Sequence, residues 1–118
     1  MKKTKTQKVP APAEGVVRAC SGIVESVHIP PYGDYIVSAS QVIGENYAAD
    51  DASEIQRQKL VEAVKLNLIN RKEYPYSLLQ RKYNLPLDIR SFLWEKRRFI
   101  YTLATLCGFL PKEECQDF

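Results

Sequence analysis

The sequence predicts a mainly α fold: a small three-helix helix-turn-helix domain, preceded by an irregular or short-stranded N-terminal segment. Three observations lead there. Residues 55–70 carry apolar side chains at helical spacing. Between Pro75 and Leu110 two further helical patterns are separated only by Asn84-Leu85-Pro86-Leu87-Asp88, which leaves room for a sharp turn and nothing more. At 118 residues, with 45% hydrophobic and 26% charged side chains, the chain has the composition of a globular protein and the length for one core.

Residues 1–14 are rich in Lys, Thr, Pro and Ala and nearly empty of large apolar groups, so they read as a mobile basic arm. Residues 15–50 are apolar and β-branched in short bursts (VVRAC, GIVESVHI, YIVSASQVI), interrupted by Ser21-Gly22, Pro30-Pro31 and Gly33-Asp34. Such punctuation favours short extended pieces over a long helix, and GIVESVHI alternates as a half-buried strand does. IPPYGDY reads as a turn-forming linker whose two tyrosines pack back on the domain.

Residues 51–110 form the expected helix-turn-helix domain and 111–118 an acidic tail. Ser53 is placed to cap the first helix, with Gln56 three residues on completing a capping box. Leu60, Val61, Val64 and Leu68 then share one face, with Arg57, Lys65 and Asn67 away from it. Pro75 suits the first turn of the second helix, because its missing amide costs nothing there, and Leu78, Leu79 and Tyr83 supply that helix's packing face. Pro86 disfavours helix at Leu85, Leu87 is the expected buried residue of the turn, and Asp88 caps the restart. The third helix should run to about Cys107, where Gly108 and then Pro111 stop it.

That last helix has two stripes. Phe92, Phe99, Leu103, Leu106 and Leu110 are predicted to face inward. Arg90, Trp94, Arg97 and Tyr101, at i, i+4, i+7 and i+11, fall on another face that is basic and aromatic together.

Charge is unevenly distributed although the formal net is only +3. Residues 2–8 hold Lys2, Lys3, Lys5 and Lys8 without an acid, and residues 71–98 hold eight basic side chains against Glu73, Asp88 and Glu95. Two basic regions beside acidic ones are the pattern of a polyanion-binding surface. Other chemistries find little support. Cys20, Cys107 and Cys115 lack any ligand spacing, and His28 is the only histidine, so no cofactor and no metal are expected. Glu54 and Glu62 have no nucleophile or histidine motif beside them, which argues against an enzyme. No apolar run reaches membrane-spanning length, and MKKTKTQK leads into VPAPAEG without a signal-peptide core, so the expected location is cytoplasmic with no membrane partner.

The string LPLDIRSFLWEKRRFIYTLATLCGF resembles the C-terminal half of small phage-encoded transcriptional regulators of the RinA and ArpU type, which are similar to the DNA-binding region four of sigma factors. Leu85-Pro86-Leu87 matches the family's turn, Asp88 its cap, Ser91-Phe92 the following pair, Lys96-Arg97-Arg98 the basic run, and Leu103 to Gly108 the apolar close. Residues 55–70 would be the preceding support helix. The resemblance implies a non-enzymatic, sequence-specific DNA-binding regulator whose partner is double-stranded DNA. RNA polymerase, a host protein and a homodimeric form stay open beside it. The implied DNA-binding residues are Arg81, Lys82, Arg90, Ser91, Trp94, Lys96, Arg97, Arg98 and Tyr101. Trp94 and Glu95 stand where the pattern has basic residues. A second reading therefore stays open: a small protein-interaction module, an inhibitor or adaptor of a host enzyme or nucleic-acid-binding complex, reusing a degenerate helix-turn-helix.

Overall fold

The computed structural model describes residues 11–44 and 51–108, which form five helices: α1 (Glu14–Glu25), α2 (Tyr32–Ser40), α3 (Asp51–Ile69), α4 (Tyr76–Tyr83) and α5 (Ile89–Leu106). The expected features at residues 1–10, 45–50 and 109–118, including Leu110, Pro111, Cys115 and the acidic tail, lie outside the described residues.

No strand occurs among the described residues, which corrects the short-stranded expectation for the N-terminal segment. GIVESVHI lies across the end of α1 rather than in an extended piece. The local alternation is outvoted by a longer period: Val16, Val17, Cys20, Ile23 and Val24 recur at helical spacing, and Cys20, Ile23 and Val24 are buried. Nor does Ser21-Gly22 interrupt the chain; the helix passes through it. The Pro30-Pro31 pair, joined by a cis bond, sits just before α2, and Ile36, Ala39 and Ser40 form that helix's buried side. Tyr32 and Tyr35 are partly buried against the core, as the tyrosines of IPPYGDY were expected to be.

α1 packs against α2, α3 and α5, α2 lies on α5, and α3 also meets α4 and α5. A single apolar cluster results, in which Cys20, Ile23, Ile36, Ala39 and Ile43 from the N-terminal helices share a core with Leu60, Val64, Leu79, Phe92, Phe99 and Leu103. Burial pushes the Cys20 thiol up to about 12, with Cys107 adding a smaller effect in the same direction. The consequence for function is geometric. α1 and α2 cover much of the inner side of α5 and leave its opposite arc facing outward.

A polar knot ties the two halves. Gly44 adopts φ +68, its N–H donates to Glu95 Oε1 on α5 at 3.0 Å, and a Cβ added there would stand 2.8 Å from Arg57 Cγ. Arg57 donates from Nη1 to the carbonyls of Ser40 (3.1 Å) and Ile43 (3.2 Å), which satisfies the end of α2, while its other nitrogens hold Glu54. Arg57 is thus turned into the structure, where the sequence reading put it on the solvent side.

α3 begins at Asp51, so Ser53 lies inside the helix and not at its cap. Gln56 reaches the Asn84 carbonyl (3.5 Å) in place of a capping box. On α4, Tyr76 and Leu79 are buried and Leu78 is 39% exposed, which rotates the packing face from the expected one.

Candidate nucleic-acid interface

The turn between α4 and α5 is built from local chemistry. Pro75 is the N-cap of α4, at φ −67 and ψ 157, and its carbonyl accepts the amides of Leu78 (3.0 Å) and Leu79 (3.1 Å). Asn84 ends the helix in the left-handed region (φ 55, ψ 51), a conformation Asn tolerates better than most residues, and the Leu85 N–H returns to the Gln80 carbonyl at 3.0 Å. Leu85, rather than the expected Leu87, plugs the core. Leu87 contributes its carbonyl, which accepts from Tyr76 Oη (2.6 Å) and Gln80 Nε2 (2.9 Å). Asp88 then caps α5 by accepting the Ser91 N–H at 3.0 Å, and these bonds from Ser91 hold its carboxyl below the ordinary carboxylate range. The Tyr76 ring stacks on Phe92 with centroids 4.2 Å apart, so the start of α4 is pinned to the first turn of α5.

On α5, Phe92, Phe99 and Leu103 are fully buried, as the spacing predicted, while Leu106 is 40% exposed and leaves the stripe at its C-terminal end. The helix ends as expected, with Cys107 as C-cap and Gly108 at φ +84. Arg90 and Ser91 are exposed, and Trp94, Arg97, Arg98 and Tyr101 are half-buried. The Arg98 guanidinium lies 4.7 Å from the Trp94 ring centroid, a cation–π arrangement that fixes both side chains on the outer surface. Arg81 and Lys82 are exposed in the last turn of α4, where cations suit the negative end of the helix, and Lys82 Nζ stands 5.7 Å from the Tyr83 ring centroid.

Lys96 does not belong with them. It is only 8% exposed, and its Nζ donates to Asn67 Oδ1 at 2.6 Å. Its place was legible in the spacing: four residues after Phe92 and three before Phe99, it falls on the flank of the inward stripe. Lys96-Arg97-Arg98 is a basic run in sequence only, since Lys96 is buried and the two arginines are not. Glu95 is buried on the opposite flank, where it accepts from Gly44. Asn67, expected on the solvent side of α3, is likewise buried, and its Nδ2 donates to the Tyr74 carbonyl at 2.8 Å. One amide therefore joins the end of α3, the loop before α4 and the middle of α5.

The electrostatics of Lys96 follow from this position. Burial, and to a lesser extent the nearby positive charges of Arg71 and Arg97, lower its pKa to about 8. No group of three or more His, Cys, Asp or Glu side chains that could hold a metal occurs among the described residues, and no described helix is long and apolar enough to cross a membrane. Comparison of the chain with protein-family models, with curated proteins and with solved structures yields no match.

Proposed function

We propose that the chain is a sequence-specific DNA-binding transcriptional regulator of phage or mobile-element type, with α5 as its recognition helix. The observation that carries this reading is the outer arc of α5. There the exposed Arg90 and Ser91 lead into Trp94, Arg97, Arg98 and Tyr101, on a helix whose start is fixed by the turn from α4. A guanidinium near the N-terminal end of such a helix suits bidentate contact with guanine or with a phosphate. Ser91 would bind a backbone oxygen, Trp94 would pack on sugars or thymine methyls, and Arg81 and Lys82 would hold the phosphates that flank the groove. Lys96 is withdrawn from this set by its burial. A cytoplasmic location, no cofactor and a homodimer on paired half-sites go with the proposal, and RNA polymerase is a further partner that it allows.

The test is binding to mixed-sequence duplex DNA over a range of salt, comparing the intact chain with Arg90→Ala and Arg81→Ala. The expectation is binding at low salt that weakens steeply with added salt, and a slope reduced by about one where a phosphate contact is deleted. Absence of duplex binding at low salt refutes the proposal. One observation favours the second reading, a protein-interaction module: Trp94 and Arg98 are stacked on each other, and Trp and Arg are the side chains that most often anchor protein interfaces. Recovery of a single stoichiometric protein partner, lost in Trp94→Ala, would transfer the function to it.

A further inference from the structure

A cleft of about 420 Å³ opens between the first turn of α1, the end of α3 and the middle of α5. Its apolar lining includes Val17, Leu68, Leu93 and Ile100, and Arg71, Lys96 and Arg97 bring three cations to it. The carboxylate that lines it, Glu14, is exposed and lies 3.6 Å from Arg18. The unusual member is Lys96. A buried ammonium is ordinarily matched by a carboxylate, because the loss of hydration is otherwise poorly offset. Here its partner is the neutral amide oxygen of Asn67, and no described carboxylate lies within ion-pair distance. Further positive charge in the form of Arg71 and Arg97 stands around the same space.

We propose that this cleft is a binding site for a phosphate group, held by Lys96 and Arg71 with Arg97 at its edge. A dianion in this position would match the converging cations, and the apolar walls would strengthen each contact by excluding water. The cleft also has the volume of a small-ligand pocket, so that a phosphate ester, and not the bare ion alone, fits. The phosphate could belong to a free ester or to a nucleic-acid backbone, and the two sources share this recognition chemistry.

The experiment is an amide-resolved NMR titration of the full chain with inorganic phosphate at fixed ionic strength, with chloride as the control. The expected result is a saturable, phosphate-specific shift at Asn67 to Arg71 and around Lys96, weakened roughly tenfold or more in Lys96→Met and in Arg71→Gln. Arg71 is exposed, so its variant folds irrespective of what happens at the buried position. Shifts that chloride reproduces, or that both variants retain, overturn the proposal. A second arm adds duplex DNA. If Lys96→Met weakens duplex binding and lowers its salt slope, the phosphate is that of the backbone; if duplex binding is unchanged while inorganic phosphate is lost, the site serves a free phosphate ester. A chain that binds phosphate in the cleft but no duplex would refute the DNA-binding proposal and leave this one standing.

Discussion

Lys96 gives the sharpest quantitative handle on the structure. Its pKa falls from 10.5 to about 8, and at about 1.4 kcal/mol per unit this difference corresponds to roughly 3 kcal/mol of unfavourable charge burial, or about 2 kcal/mol once solvent screening of the partly buried ammonium is allowed for. The sign is that of a lysine whose folded pKa is depressed. Below about pH 8 both states carry the charge and the penalty is complete. Between about 8 and 10.5 the unfolded chain holds a proton that the folded chain has released, so stability rises with pH; above 10.5 the penalty has gone. Lys96→Met keeps much of the stem and removes the charge, but it also leaves Asn67 Oδ1 without its donor, which costs about 1 to 3 kcal/mol. At pH 7 the two effects nearly cancel, and the variant should be within about 1 kcal/mol of the wild type. By pH 10 the wild type has recovered most of its loss, so the variant should fall behind by about 2 kcal/mol relative to the comparison at pH 7. Urea unfolding followed by far-ultraviolet circular dichroism at the two pH values measures this directly. A stability difference that does not change with pH would refute the reasoning, and so would a variant more than about 3 kcal/mol less stable at pH 7, since either result would mean that the ammonium is well compensated in the fold.

Three other outcomes are expected. Phe99→Ala empties a fully buried position between α5 and its neighbours and should cost about 3 to 5 kcal/mol in chemical denaturation; a small change would mean that α5 is rotated and that its outer arc is assigned wrongly. Gly44→Ala forces a Cβ to 2.8 Å from Arg57 Cγ at a positive φ, and should destabilise by about 1 to 3 kcal/mol in thermal unfolding. Cys20, fully buried and with its thiol pushed up to about 12, should resist alkylation near pH 8 in the native protein and react once urea is added, as read by peptide mass spectrometry.

Periodicity identified the helices where one apolar stripe dominates. The α5 stripe of Phe92, Phe99 and Leu103, the Asp88 cap and the Gly108 stop are all where their residue types put them, because the stripe follows from spacing along one helix and the cap and stop from interactions within a few residues. The N-terminal half departs from its local pattern for a physical reason. Val, Ile and Tyr favour strands locally, and the helices form there because Cys20, Ile23 and Ile36 complete a core that only α3 and α5 supply. The buried polar residues were hidden for a related reason. Arg57, Asn67 and Glu95 each have a partner at least 14 and as many as 51 positions away, and no local pattern announces a hydrogen bond to a distant carbonyl or amide. Of the candidate site, the outer arc of α5 was legible since exposure follows from the stripe opposite it, while Lys96 was grouped by charge when its spacing already placed it inside.

Burial of Lys96 divides the basic side chains of this region into two sets with different geometry, and that division determines how binding data are to be read. Arg90, Trp94 and Tyr101 lie on the outer arc; Arg71 and Lys96 line the cleft; Arg97 belongs to both. An Arg97→Ala variant that loses duplex binding therefore speaks for either set. Arg90→Ala and Arg71→Gln each touch one set only. Their effects on duplex affinity should then add if the outer arc and the cleft both hold the same DNA, since independent phosphate contacts contribute separately to counterion release. If Arg71→Gln leaves the duplex affinity and its salt slope unchanged while Arg90→Ala lowers both, groove recognition belongs to the outer arc alone. A phosphate titration that still shifts Asn67 to Arg71 then makes the cationic cleft a separate phosphate site beside that helix.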